Sequence, residues 1–206
     1  MTDAATRMID AAERIAAERG LAATTIQAVQ HEAEQRNKSA VQYHFGDRQG
    51  LLDAVVRARM APASDRRTEM LLDLGADASI RDLVAVLVVP LVESVLARRP
   101  SYWARFLLQT ISDPSSGPAT IGHIDDRALQ VAQARLLERL DHLPPSLRQL
   151  RVQAVFGYAC VVLAAHEVGN LPKAPSDVLA TELVDACCGL VTAPSTAPHP
   201  EEPSHG

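Results

Sequence analysis

The sequence predicts an all-α fold, and three observations lead to that prediction. Apolar residues make up 47% of the 206 residues and aromatic residues only 3%, a composition in which small and aliphatic side chains favour helix packing over β-structure. Apolar positions recur every three or four residues in one segment after another. No segment shows the convincing period-two alternation of a half-buried strand.

The first two predicted helices have clear end signals. Helix 1 covers about Asp3 to Arg19 and stops before Gly20, because glycine readily adopts the left-handed conformation at a helix C-terminus. Thr24, with Gln27 three positions later, predicts a capping box that opens helix 2. A short polar break follows before the next helical segment.

Two further helices are predicted in the N-terminal third of the chain. Asn37 is the predicted N-cap of helix 3, from Lys38 to His44, because its side-chain oxygen can accept an unpaired backbone N–H. Asp47 is the predicted N-cap of helix 4, which Pro62 then kinks or ends. Helices 2 and 3 are therefore joined by a tight turn.

The remaining sequence predicts a second helical domain. Its apolar residues keep the helical period at about 80–97, 101–111, 121–140, 145–168 and 176–191. The segment 193–206 is rich in proline and polar residues and has no apolar core, so we expect disorder there. The chain thus divides into domains at 1–56 and 57–192, followed by a disordered tail at 193–206.

Charge is distributed unevenly along the chain. The net charge is −5, which at first argues against a nucleic-acid partner. Within residues 36–59, however, only two acidic side chains accompany five basic ones, namely Arg36, Lys38, Arg48, Arg57 and Arg59. A local basic surface on an acidic protein is typical of a protein that contacts phosphates at one end only. Arg57 and Arg59 are expected to be solvated or in ion pairs and not to contact DNA.

Helices 2 and 3 have the arrangement of a helix-turn-helix, whose second helix enters the major groove of DNA. Ala40, Val41 and Phe45 would anchor helix 3 to the core, and its polar side chains would then point outward. The alternative is a solvated polar helix without a partner. The helix caps, the apolar anchors and the outward polar groups are all consistent with the same arrangement, so the helix-turn-helix is favoured.

Polar side chains around helix 3 are candidate DNA contacts. Those at its start are of the types that bind base edges and phosphates, namely Asn37, Lys38, Ser39 and Gln42. Tyr43 and His44 can hydrogen-bond phosphates, and Arg36 adds charge beside them. The start of helix 4, with Arg48, is a predicted anion site.

The stretch TTIQAVQHEAEQRNKSAVQYHFGDRQGLL, with the helix before it, resembles the DNA-binding domain of the TetR (tetracycline repressor) family of bacterial transcription regulators over residues 8–56. The resemblance implies a three-helix N-terminal domain, a variable ligand-binding domain and a homodimer formed by the last two long helices. It implies a regulator, commonly a repressor, that binds a palindromic double-stranded DNA operator and responds to a small effector. No cofactor is expected.

The same resemblance assigns residues to two roles on DNA. Phosphates would be held by Thr25, Lys38, Ser39, Tyr43, His44 and Arg48, and bases would be read by Asn37, Lys38, Ser39 and Gln42. Many members have glycine where this chain has Glu34, and an aromatic residue where it has Gln42. Glu34 keeps an alternative open, a ligand-sequestering or interaction protein on the same scaffold without specific DNA binding.

The second domain contains a cluster of aromatic residues. Tyr102, Trp103 and Phe106 lie within five positions, and Tyr102 and Phe106 would share a helix face. We interpret the cluster as the wall of an apolar effector pocket, with ordinary core packing as the alternative. Further candidate pocket residues are Met60, Met70, Gln109, His123 and Phe156.

The last two helices carry faces of small and apolar residues. These are Ala154, Gly157, Val161, Ala164 and Ala165 in the first, and Leu179, Leu183, Ala186, Cys187 and Leu190 in the second. Such faces allow close helix approach, and two copies would form a four-helix dimer core. Alternatively, one face is buried within the subunit.

Other classes of protein receive little support. No apolar run approaches the ~20 residues of a membrane span. The sequence lacks a phosphate-binding glycine loop, a GxSxG elbow and metal-ligand spacing, so neither an enzyme nor a metal site is predicted. Cys160, Cys187 and Cys188 lie among apolar residues, so we expect buried reduced thiols and a cytoplasmic location.

Overall fold

The structure, a computed structural model, describes residues 3–35, 37, 39–114, 126–172 and 174–196. Within these residues it contains nine α-helices and no β-strand, which confirms the predicted fold class. The helices are α1 (Asp3–Arg19), α2 (Ile26–Glu32), α3 (Ala40–Phe45), α4 (Arg48–Asp73), α5 (Ile80–Leu96), α6 (Trp103–Ser112), α7 (Arg127–Arg139), α8 (Pro145–Glu167) and α9 (Ser176–Thr192). Most of the predicted disordered tail lies outside the described residues, as does the start of the helix predicted at 121–140.

Helix α1 is the centre of the N-terminal bundle. Its buried face includes Met8, Ile9 and Ile15, and it packs against α2, α3 and α4. The helix ends where predicted, before Gly20, whose φ of 87° lies in the region that favours glycine. Burial of the apolar face of α1 therefore holds the short helices α2 and α3 in place.

Helix α4 continues through Pro62 instead of ending there. Met60 and Ala63 are buried on either side of the proline, so packing supports the helix where a backbone hydrogen bond is missing. The helix contacts α1, α5 and α7, and it crosses the predicted boundary between residues 56 and 57 as one continuous element. The domain limits at 1–56 and 57–192 stay a prediction.

Helix α5 is the centre of the second bundle and contains Pro90, as predicted. Its buried residues lie on nearly all sides of the helix, and it contacts α4, α7, α8 and α9. A helix that is apolar all round is stable only when neighbours cover it all round. Ser79 and Asp82 form a capping box at its start, and the hydrogen bonds from Ser79 lower the pKa of Asp82.

A carboxylate from the end of α8 caps the start of α6. The side chain of Glu167 is 1% exposed. It accepts the hydroxyl of Ser101 at 2.7 Å and the backbone N–H groups of Ala104 and Arg105 at 2.9 Å and 3.1 Å. An anion is favoured there because the first N–H groups of a helix are unpaired and lie at the positive end of its dipole. Since α6 also packs on α1, this cap connects α8 to the N-terminal bundle.

A buried ion pair joins α4 to the start of α7. Arg67 and Asp126 are 1% and 2% exposed, with 2.6 Å between Nη1 and Oδ2. The other oxygen of Asp126 accepts the N–H of Leu129 at 2.8 Å and so caps α7. Burial lowers the pKa of Arg67, although Asp126 opposes the shift. Composition and periodicity gave no indication of this pair.

The described residues bear on membrane spans and on metal sites. No helix there is long and apolar enough to cross a membrane. No three His, Cys, Asp or Glu side chains there are grouped so that they could hold a metal ion.

The three cysteines differ in burial. Cys160 and Cys187 are buried, and burial raises the pKa of these thiols to about 12 and about 11. Cys188 is partly exposed, so the prediction of burial is wrong for that thiol.

Candidate nucleic-acid interface

Helix α2 begins one residue later than predicted. Its N-cap is Thr25, whose Oγ1 accepts the N–H of Ala28 at 3.1 Å. Thr24 is fully buried, and its hydroxyl faces the carbonyl oxygen of Gly20 at 3.4 Å. The predicted capping box at Thr24 is therefore wrong, because Thr24 closes the short 3₁₀ turn that precedes the helix.

The turn between α2 and α3 passes through Glu34, which has a φ of 52°. In this left-handed conformation a Cβ atom crowds the backbone, so glycine is favoured. The N–H of Gln35 donates to the carbonyl oxygen of Gln30 at 2.8 Å, which fixes the turn. A glycine at this position would adopt the same backbone without strain.

Helix α3 begins at Ala40, two residues later than predicted. Asn37 is not its N-cap, because Oδ1 of Asn37 accepts the N–H of Ser39 at 3.0 Å in a turn before the helix. The N-cap is Ser39, which makes no side-chain capping bond. The Ser39 hydroxyl is thus not used to hold the helix together.

One side of α3 is buried and the opposite side is open. Ala40 and Val41 are buried, and Phe45 packs against the same core. Gln42 is exposed, and Tyr43 is 84% exposed. The structure thus confirms the predicted apolar anchors and the outward direction of Gln42 and Tyr43.

The open side of α3 forms one continuous surface. Ser39, Gln42 and Tyr43 stand at positions i, i+3 and i+4 and so neighbour one another; we call these three residues the α3 face. The ring of His44 lies edge-on to Tyr43, with the ring centroids 4.9 Å apart. Arg36 and Lys38, two further predicted contacts, lie outside the described residues.

Arg48 turns back onto the N-terminal bundle. Its Nε donates to the carbonyl oxygen of Thr24 at 2.9 Å, and its Nη2 donates to that of Leu21 at 2.5 Å. These bonds hold the start of α4 against the segment that leads into α2. A phosphate contact by Arg48 stays a prediction, and the structure adds a positioning role that the sequence did not reveal.

Gly50 allows α3 and α4 to approach closely. Asp47 caps α4 as predicted, since its Oδ1 accepts the N–H of Gly50 at 2.8 Å. A Cβ atom on Gly50 would lie only 2.0 Å from the carbonyl oxygen of Phe45. Sequence reasoning missed this requirement, although a poor helix former in the first turn of a long helix was a usable signal.

The predicted basic surface at 36–59 is smaller than expected. Nε of Arg59 donates to Glu13 at 2.8 Å, and Nη2 pairs with Asp10, so Arg59 faces the inside of the molecule. Three members of the predicted basic surface, Arg48, Arg57 and Arg59, are among the described residues, and only Arg57 of these is exposed. The expectation that Arg59 is solvated or in an ion pair is therefore confirmed as an ion pair, and the acidic groups of α1 remove its guanidinium from the basic surface.

Trp103 and Phe106 are core residues. Both are fully buried and stack with their ring centroids 5.4 Å apart. Tyr102 precedes the helix and carries the guanidinium of Arg105 over its ring at 5.0 Å. The expected pairing of Tyr102 with Phe106 is therefore wrong, because the ring of Tyr102, the N-cap of α6, lies against Arg105 while Phe106 stacks on Trp103.

The other predicted pocket residues lie in different places. Met60 is buried in α4. Oε1 of Gln109 lies 3.7 Å from the position that a Cβ atom on Gly20 would take, so this side chain faces the N-terminal bundle. Phe156 lines a void of about 10 Å³ between α5, α7 and α8. His123 lies outside the described residues, and the effector site stays a prediction.

The apolar face predicted on the last helix is used inside the subunit. Leu179, Leu183 and Cys187 are buried where α9 packs against α5 and α8. Their assignment to a dimer surface is therefore wrong, and the alternative of burial within the subunit is right for them. The apolar period of α9 marks its inner side.

Helix α8, in contrast, exposes an apolar stripe. The stripe follows one side of the helix and ends at Val168, the residue that caps its C-terminus. Its members are 40% to 62% exposed: Leu150, Tyr158, Val161 and Val168. We call these four residues the α8 stripe. Several large apolar side chains exposed along one side of a helix are typical of an interaction surface.

Residues 8–55 match the sequence profile of bacterial regulatory proteins of the tetR family. The matched segment contains most of α1, all of α2 and α3, and the start of α4, and so includes the whole α3 face. No curated protein is a significant match to the sequence.

Solved structures with the same fold cover nearly the whole chain. The fatty acid degradation regulator FadR from Bacillus halodurans has a TM-score of 0.64 and 16% identity, over 92% of this chain and 96% of its own. A TetR-like transcriptional regulator from Rhodococcus sp. RHA1 has a TM-score of 0.58 and 17% identity, over 91% and 93%. A variant TetR from Acinetobacter baumannii AYE, in complex with minocycline, has a TM-score of 0.52 and 16% identity, over 93% and 95%. At these identities the likeness concerns the fold alone.

Proposed function

We propose that this protein, which carries the DNA-binding domain and the fold of the TetR family of transcription regulators, represses transcription by binding a palindromic DNA operator as a homodimer. The α3 face carries the proposal. It presents a serine, a glutamine and a tyrosine that is 84% exposed, on a helix whose other side is buried. Such side chains suit a groove that offers base edges and phosphates.

Two roles on DNA are divided among the polar residues of this region. Gln42 reads a base edge, because a side-chain amide can pair with both N6 and N7 of adenine; Ser39 and Asn37 assist it, with Lys38. Tyr43, His44 and Arg36 contact phosphates. Thr25 can do so as well, since its oxygen accepts the capping N–H while its hydroxyl hydrogen is still available.

The homodimer is proposed to form through α8 and α9. The α8 stripe supplies the apolar contact, and a second copy related by a two-fold axis would cover it. The exposed side of α9, which includes Val178, Ala186 and Gly189, lies on the helix that packs beside α8. The dimer would place two α3 helices about one DNA turn apart, ~34–36 Å or a multiple of it.

A small apolar effector is proposed to bind between α5, α7 and α8. The void there has apolar walls that include Leu87, Val155 and Phe156, but its volume of about 10 Å³ is too small for a ligand. Binding therefore requires these helices to separate. An effector that binds only the conformation with separated helices shifts the protein toward that conformation. Helix α4, which contacts α5 and α7, would transmit the separation to the DNA-binding end.

A gel-shift experiment tests the proposal. Purified protein is titrated into the DNA that flanks its own gene and into a shuffled duplex of equal length and composition. We expect retardation of the flanking DNA at lower protein concentration, and an affinity that falls steeply with salt because bound phosphates release counterions. Equal affinity for both duplexes would favour the ligand-sequestering alternative.

A further inference from the structure

A polar cleft lies between the N-terminal bundle and the corner that joins α5 to α6. Its volume is about 540 Å³, and its walls come from α1, from the end of α2 with the turn after it, and from residues 98–102. Neither the α3 face nor the void beside Phe156 contributes to it. This volume lies in the range of about 300–1,000 Å³ that is usual for small-molecule sites.

A buried carboxylate with one unused oxygen lines this cleft. Glu13 is 2% exposed, and its Oε2 accepts Nε of Arg59 at 2.8 Å. Its Oε1 is also buried and has no hydrogen-bond partner among the described residues. Burial raises the pKa of this carboxyl, although Arg59 opposes the shift. A buried charged oxygen without a donor is costly, so a donor supplied from outside would be bound favourably.

Most of the other charges on the cleft wall already have partners. Three of its four arginines, Arg7, Arg14 and Arg98, form ion pairs with carboxylates. Within the described part of the chain, the exposed side chains of Glu34 and Arg99 form no ion pair. The groups left for a ligand are therefore two carboxylates, Glu13 inside and Glu34 at the rim, and one guanidinium.

We propose that the cleft binds a small molecule through a cationic nitrogen group, an ammonium or a guanidinium, which donates to Oε1 of Glu13 once an exposed side chain of the cleft wall moves aside and uncovers this buried oxygen. A charge-assisted hydrogen bond of this kind is shorter and stronger than a neutral one. Glu34 adds attraction at the rim, and Ala11 and Tyr102 offer apolar surface to the rest of the ligand. Arg99 would recognise a carboxylate if the ligand has one.

A ligand in this cleft would touch both halves of the molecule. It would contact α1 and the turn after α2 on one side, and the corner after α5 on the other. It would thereby stabilise one relative position of the two bundles, independently of the effector site. The binding itself does not depend on DNA recognition, so it can be measured without DNA.

Isothermal titration calorimetry on the full chain tests the site with three probes. Agmatine carries an ammonium and a guanidinium, arginine carries a carboxylate in addition, and glutarate carries carboxylates only. We expect saturable binding of agmatine and arginine and none of glutarate. If free arginine binds more tightly than agmatine, Arg99 contacts the carboxylate of the ligand. If the two probes bind equally, the site recognises the cationic group alone.

Substitution of the buried carboxylate supplies the decisive comparison. Glu13→Gln should weaken agmatine binding by about 10- to 100-fold, because it removes a charge-assisted hydrogen bond. Glu182→Gln, at an exposed position on α9, should leave the affinity unchanged. Absence of saturable binding to the wild-type protein overturns the proposal, and so does full affinity in a Glu13→Gln protein that melts like the wild type.

A second variant covers the case in which Glu13→Gln does not fold. Glu34→Gln changes an exposed turn residue and should weaken agmatine binding by about two- to fivefold, as expected for a partly solvated charge pair. Unchanged affinity in that variant would then count as the contradicting result.

Discussion

Two aromatic side chains of this chain have opposite surroundings. Tyr43 on α3 is 84% exposed, whereas Trp103 on α6 is fully buried and stacked on Phe106. The exposed ring contributes little until a partner covers it, while the buried ring stabilises the fold at all times. Substitutions in the two regions should therefore change different quantities, binding in the first and stability in the second.

The two regions also differ in how their helices are held. Helix α3 has six residues, too few for a helix that is stable by itself. Its position depends on contacts made by its neighbours, among them the hydrogen bonds of Arg48 and the close approach at Gly50. Helix α5 has 17 residues and is covered on nearly all sides. Small changes next to α3 should thus displace a functional surface, while α5 and α6 resist displacement.

The largest expected effect is on stability in the second region. Trp103→Ala should lower the free energy of unfolding by about 3–5 kcal/mol, because it removes a fully buried side chain and leaves a cavity. Tyr43→Ala should change it by less than about 0.5 kcal/mol, since the ring is exposed. Urea unfolding measures both. If both variants lost the same unfolding free energy, the two regions would not differ in their contribution to stability.

The next effect concerns the contact between α3 and α4. Gly50→Ala should cost about 1–3 kcal/mol of stability, because the new Cβ overlaps the carbonyl oxygen of Phe45, and it should weaken DNA binding by displacing α3. Gly75→Ala is the matched control, since a Cβ there meets no atom within 4 Å. Thermal melts and gel shifts follow both. Wild-type DNA affinity in a folded Gly50→Ala protein would argue against a positioning role.

A third prediction distinguishes base recognition from phosphate binding on the α3 face. Gln42→Ala should cost about 1–3 kcal/mol on the operator, relax the preference at one base pair of each half-site, and leave nonspecific binding nearly unchanged. Tyr43→Phe should weaken specific and nonspecific DNA alike, since it removes a phosphate contact. Fluorescence anisotropy with single-base operator variants measures the difference. Full operator preference in the Gln42→Ala protein would mean that α3 does not read the sequence.

The smallest expected effect is a gain in stability. Glu34→Gly should raise the free energy of unfolding by about 1 kcal/mol, because glycine adopts the left-handed turn conformation without crowding its Cβ. Glu34→Ala keeps the Cβ and should give little or no gain, which separates conformation from charge. Melting temperatures in matched buffers report both. A stabilised alanine variant would trace the effect to the removed charge instead.

Local signals made the DNA-binding end predictable from sequence. The Asp47 cap, the Gly20 stop and the apolar anchors of α3 depend on neighbours only a few positions away. Even the misplaced cap at Thr24 is an error of one position, because two consecutive threonines offer the same hydroxyl chemistry. Where an interaction is local, its chemistry can be inferred from the residues beside it.

Long-range contacts explain what could not be predicted. An aromatic cluster at residues 102–106 indicates a core or a pocket equally well, because only the packing of distant helices decides between them. The leucines of α9 have the period of a buried stripe, but the period does not say whether another helix of the subunit or a second subunit covers them. Arg48 was assigned to a phosphate site, since its carbonyl partners lie 24 and 27 positions away. The carboxylate partners of Arg59 could not be named, since they lie 46 and 49 positions away.

The cap that Glu167 places on α6 also sets an order of events while the chain is being synthesised. The N–H of Arg105 and the carboxylate that accepts it are 62 residues apart in sequence, so the first turn of α6 stays uncapped until the end of α8 has been translated. At about 5–20 residues per second, that delay lasts about 3–12 s. Until then α6, which packs on α1, lacks the carboxylate that holds its first turn, so we expect this side of the N-terminal bundle to reach its final packing only after the end of α8 has been made.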